Sequence, residues 1–184
     1  MTEEAARANE EGLVRRAVHG DAEAFGDLYV RYLDDIYRYV FYRVRDEKRA
    51  EDLTERVFIK AWEAIGGYEL RGYPFSSWLY RIAHNAVVDH YRADREEEPL
   101  DEVAFTLADE SPGPEQTVIK RREVSHLLEA IAELSEDKQR LIILRFVEGL
   151  SHAQVAQILG KSEGACRVMQ HRALTDLSSI LGRE

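Results

Sequence analysis

Apolar residues recur at helical spacing along most of the chain. Leu13, Val14, Ala17 and Val18 make a short amphipathic segment that stops at Gly20. Asp21 stands where a helix cap belongs, and Phe25, Leu28, Tyr29, Tyr32, Ile36, Tyr37, Val40 and Val44 carry one apolar face beyond it. Tyrosines 32, 37, 39 and 42 are read as lining a helix–helix seam, with their hydroxyls at the wet edge. The next helix, Glu47 to Ile65, turns Ala50, Leu53, Val57, Ala61 and Ile65 inward and shows charges of both signs outward, before Gly66-Gly67 stops it. After the loop YELRGYPFSS comes a helix from Ser77 to Arg95. Trp78, Leu79, Ile82, Ala83, Ala86 and Val87 form its buried stripe; Tyr80, Arg81, His84, Asn85, Val88 and Arg92 take the other side.

Residues 96–115 break the periodicity with Pro99, the run Ser111-Pro112-Gly113-Pro114 and too few hydrophobes for a core, which predicts a flexible linker. Beyond it, a helix over Gln116 to Leu134 buries Val118, Val124, Leu127, Leu128, Ile131 and Leu134. Another follows, capped by Ser135, with acidic residues in its first turn and Leu141, Ile142, Leu144 and Phe146 as its core. The pattern predicts an all-α protein: two small helical domains, 10–95 and 116–184, joined by an acidic linker over 96–115.

The last forty residues carry the clearest chemistry. In GLSHAQVAQILGKSEGACRVMQHRALTDL, Ser151 caps one short helix, Gly160 ends it and Ser162 caps the next two residues later. Cys166, Met169, Ala173 and Leu177 share one face of the second helix, and Arg167, Val168, His171 and Thr175 the other. An apolar back with a front of Arg, His and small residues suits a helix-turn-helix whose second helix reads the major groove. An ordinary helical hairpin in a core is the alternative.

Charge changes the picture. The net charge of −10 is unusual for a nucleic-acid binder, but residues 96–115 hold eight acids and no Lys or Arg, and residues 1–12 carry −3. The remainder is +1, so autonomous affinity for phosphates is expected to be weak and a partner to hold the chain on DNA. One cysteine excludes an internal disulfide and fits a reducing cytoplasm. The acidic N-terminus does not read as a secretory signal, and the apolar runs are too short to insert in a membrane. The six histidines show no metal-ligand spacing, and there is no phosphate loop or nucleophile motif, so neither cofactor nor enzymatic activity is expected.

Four runs in order, GDAEAFGDLYVRYLDDIYRYVFYRV, AEDLTERVFIKAWEAI, FSSWLYRIAHNAVVDHYR and LSEDKQRLIILRFVEGLSHAQVAQILGKSEGACRVMQHRAL, resemble bacterial RNA polymerase sigma factors of the extracytoplasmic-function class. The resemblance implies a region 2-like first domain and a region 4-like second one. Glu51, Asp52, Leu53, Glu55, Arg56 and Phe58 then match the segment that docks on the clamp helices of the polymerase largest subunit. Tyr73, Phe75, Ser76, Trp78, Arg81, Asn85, Asp89 and Arg92 match the part that captures and melts the minus-ten element. Lys161, Ser162, Glu163, Arg167, Val168, His171 and Arg172 match the reader of the minus-thirty-five element. The implied partners are core polymerase (the clamp helices, and the flap of the second-largest subunit), promoter DNA and an anti-sigma factor, in a bacterial cytoplasm. A sigma mimic that sequesters an anti-sigma factor without binding DNA is the competing reading. Three departures stand out: Glu55-Arg56 replaces a frequent Gln-Glu, Arg49 stands where an acid is frequent, and Arg167-Val168-Met169-Gln170 replaces a frequent Lys-Ser-Arg-Leu.

Overall fold

A computed structural model describes residues 3–69, 74–97 and 115–182, with side chains over 8–69, 74–93 and 124–182. The chain divides into two units, Met1–Leu100 and Asp101–Glu184. Among the described residues all regular structure is helical. Tyr73 and most of the 96–115 linker lie outside the described residues.

The first unit contains α1 (Glu3–Val18), α2 (Ala22–Val44), α3 (Glu47–Ala64) with a 3₁₀ turn at Ile65–Gly67, and α4 (Phe75–Glu97). α1 begins well before the short segment read from its hydrophobes. Asp21 caps α2, its Oδ1 accepting from the amides of Glu23 at 3.1 Å and Ala24 at 3.0 Å. α2 packs on α1, α3 and α4, so its apolar stripe from Leu28 through Ile36 to Val40 forms the spine of this core. Two aromatic side chains depart from the sequence reading. Tyr80, assigned to the outer side of α4, is buried, and its ring meets buried Tyr39 edge-on with centroids 5.3 Å apart. Neither ring reaches the wet edge, because two large aromatics fill the space where the helices cross.

The second unit contains α5 (Glu115–Ala132), α6 (Glu136–Ile142), α7 (His152–Leu159) and α8 (Glu163–Leu181). α8 packs against the other three. Ser135 stands at the cap position of α6 but its hydroxyl makes no capping bond. Gln139 bridges the junction instead, its Nε2 donating to the carbonyls of Ala132 and Leu134 at 2.8 Å. Val124 and Leu127 are exposed (49 % and 42 %), whereas Leu128 and Ile131 of α5 and Leu134 just beyond it are buried; Val118 lies outside the described side chains. Phe146 is also exposed rather than core. The cause is a π turn at Ile143–Val147, where the Glu148 amide donates to the Ile143 carbonyl at 3.0 Å. The wider turn delays the register by a residue and rotates Phe146 outward, behind four consecutive buried residues, Leu141 to Leu144.

Candidate nucleic-acid interface

The α7–turn–α8 segment is built by local rules. Ser151 and Gln154 form a reciprocal capping box: the Gln154 amide donates to Ser151 Oγ at 3.3 Å, and the Ser151 amide to Gln154 Oε1 at 2.8 Å. Gly160 ends α7 at φ +65°, a left-handed conformation that only glycine adopts without strain, and lets the Lys161 amide reach the Ala156 carbonyl at 2.9 Å. Ser162 caps α8 by accepting from Ala165 at 3.1 Å. Cys166, Ala173 and Leu177 then pack inward, and burial pushes the Cys166 thiol up, away from reactivity.

That register turns the candidate residues outward. Lys161, Ser162, Glu163, Arg167, Val168, His171 and Arg172 are all exposed. Arg167 touches Glu163 at 3.4 Å, one turn earlier. Two ion pairs tie α6 to this motif: Lys161 with Asp137 at 3.0 Å, and Lys138 with Asp176. Arg145 braces it from within, donating to the Leu150 carbonyl and to Gln170. Lys138 was not among the residues singled out from the sequence. It lies far from α8 in the chain, and only the fold brings it to the rim of a shallow depression of about 420 Å³ beside Val168 and Arg172.

In the first unit the candidate residues separate by burial. Glu51, Asp52, Glu55 and Arg56 are exposed on α3, whereas Leu53 and Phe58 face the core. Phe58 meets the Tyr29 ring at 4.7 Å, so these two side chains hold the helix in place and do not present themselves to a partner. On α4, Arg81, Asn85, Asp89 and Arg92 are exposed, with Ser76 and Trp78 half-buried. Phe75 is buried among Tyr32, Tyr68 and Trp78, with ring centroids 5.3 to 5.9 Å away, and is not free to stack on a base. Arg81, Asn85 and Asp89 follow one another at i, i+4 along one face, and Lys60 reaches Asp89 at 3.5 Å. Tyr68, which spacing alone did not single out, completes the aromatic cluster at the head of α4.

A helix-turn-helix with an exposed second helix is the arrangement by which many proteins read the major groove. Comparison with known families places this chain further. The description "Sigma-70 region 2" matches residues 28–97, and "Sigma-70, region 4" matches residues 126–177. The ECF RNA polymerase sigma factor BldN of Streptomyces coelicolor is 39 % identical over 170 residues, 92 % of this chain; the chain spans 64 % of that relative's length. ShbA of Streptomyces griseus, another ECF sigma factor, is 34 % identical over 91 % of this chain and 93 % of its own. The chain belongs to the ECF RNA polymerase sigma factors. Two solved structures share the fold. CnrH in complex with the cytosolic domain of CnrY gives a TM-score of 0.72 at 24 % identity, covering 94 % of this chain and 97 % of that one. RpoE in complex with the anti-sigma factor NepR, from Bartonella quintana, gives 0.65 at 22 %, covering 89 % and 99 %. No described helix is long and apolar enough to cross a membrane.

Proposed function

We propose that this chain is a dissociable promoter-specificity subunit acting in the bacterial cytoplasm. It binds core RNA polymerase through the outward side of α3, with Glu51, Asp52, Glu55 and Arg56 in contact and Leu53 and Phe58 supporting them from the core. The exposed stripe Arg81, Asn85, Asp89 and Arg92, with Tyr73, Ser76 and Trp78, receives the minus-ten element. Unstacking a base costs a few kilocalories per mole, and stacking an extruded base on an aromatic ring returns about 1–3 kcal/mol, so captured bases hold the duplex open without ATP. α8 enters the major groove of the minus-thirty-five element, with Lys161, Ser162 and Arg172 at phosphates and Glu163, Arg167, Val168 and His171 toward bases.

One observation carries this reading: every candidate on the front of α8 is exposed, in a chain that also carries region 2. An anti-sigma partner belongs to the same proposal; RpoE, whose fold this chain shares, was solved in complex with the anti-sigma factor NepR. Run-off transcription tests the whole. Core polymerase from Streptomyces coelicolor plus this chain should initiate at a small set of promoters drawn from a randomised library. Initiation no different from core alone would refute it.

A further inference from the structure

Val168 lies on the outward face of α8. It is 53 % exposed, beside Arg167, His171 and Arg172, while Cys166, Ala173 and Leu177 fill the back of the same helix. An aliphatic side chain neither donates nor accepts a hydrogen bond, so it cannot read the polar code of a base edge. The major groove offers one group that suits it, the C5 methyl of thymine.

The surroundings favour that contact. Glu163 opens the helix, so Val168 lies in its second turn, within the N-terminal part from which a recognition helix meets base edges. A Cβ added at Gly164 would meet nothing within 4 Å, and Ala165 is small and exposed, so this stretch of helix can approach the bases closely. Ala165, Val168 and Met169 line the depression of about 420 Å³ together with Lys138, Lys161 and Arg172, the two lysines paired with Asp176 and Asp137. The cations suit phosphates; the apolar side chains suit a methyl group. Arg167, the preceding residue and about 100° round the helix, pairs with Glu163 at 3.4 Å, a surface pair that a guanine edge can replace.

We infer that Val168 selects a thymine in the upstream promoter element through its methyl group, beside a guanine read by Arg167. This rests on the proposed entry of α8 into the major groove. The test uses the reconstituted holoenzyme of core polymerase and the full chain. Upstream elements are first selected from a randomised library, and each thymine of the winner is then replaced singly by deoxyuridine, which pairs identically and lacks only the methyl. Initiation should fall about three- to five-fold at one position and stay unchanged at the others. Val168→Ala should erase that difference and Val168→Ile should keep it; both variants alter an exposed side chain. Arg167→Ala should relax the guanine preference about tenfold without changing the deoxyuridine effect. If deoxyuridine is tolerated at every position, or Val168→Ala still distinguishes it from thymine, the inference is wrong while the proposed function stands. If no promoter is selected at all, both are wrong.

Discussion

Asp21 holds its proton less readily than a free aspartate. The amide of Ala24, the Arg16 guanidinium 2.8 Å away and the amide of Glu23 all favour the ionised carboxylate and hold its pKa below the ordinary value. A depressed folded pKa means that the stabilisation is complete above the unfolded value of about 3.9 and disappears as pH falls through the folded one. Asp21→Asn keeps a capping side chain but cannot titrate. Urea unfolding midpoints measured from pH 5 downward should therefore fall more steeply in the native chain than in this variant. Lys161 supports a different prediction. Its pair with Asp137 is half-exposed, and such pairs contribute about 0–1 kcal/mol, so Lys161→Ala should hardly alter stability. Promoter binding by the holoenzyme should nevertheless weaken for every sequence alike, and the slope of log affinity against log salt should become shallower by about one.

Three serines occupy helix starts in the second unit, and the geometry separates them. Ser151 and Ser162 accept amide hydrogen bonds, and replacing either by Ala should cost about 1 kcal/mol in urea unfolding. Ser135 makes no such bond, and Ser135→Ala should be near neutral, whereas Gln139→Ala removes both donations that join α5 to α6. Sequence spacing could identify all three cap positions but not which hydroxyl is used. The same division runs through the interface. The front of α8 was legible because capping and a 3.6-residue period fix which side faces out, and its back, Cys166, Ala173 and Leu177, follows from the same register. Phe75, Leu53 and Phe58 were matched to a functional segment by resemblance, which does not distinguish a residue that touches a partner from one that supports its neighbour. Val124 and Leu127 were misassigned for another reason. A period says which residues share a face, but not how far along that face a partner helix extends.

Charge decides behaviour at the level of the whole chain. The net charge of −10 gives little net attraction to phosphates, and non-specific protein–DNA binding commonly has a Kd of about 10⁻⁴ to 10⁻⁶ M at physiological salt. In a mobility-shift assay at physiological salt, the chain alone should form no promoter complex at submicromolar concentration. Adding core polymerase should produce one, since an enzyme that holds both units presents two DNA contacts together. A tight complex without polymerase would instead favour a self-sufficient repressor.

The π turn at Ile143–Val147 has a genetic consequence. A single extra residue accommodated inside a helix produces such a turn, and losing one restores ordinary pitch. A one-codon deletion within 143–147 would therefore leave the downstream helices in phase, whereas one further inserted codon, beyond what a single wide turn absorbs, would turn everything after it by about 100°. The deletion is expected to lower the urea midpoint little and the insertion to lower it sharply, although each changes the chain by one residue.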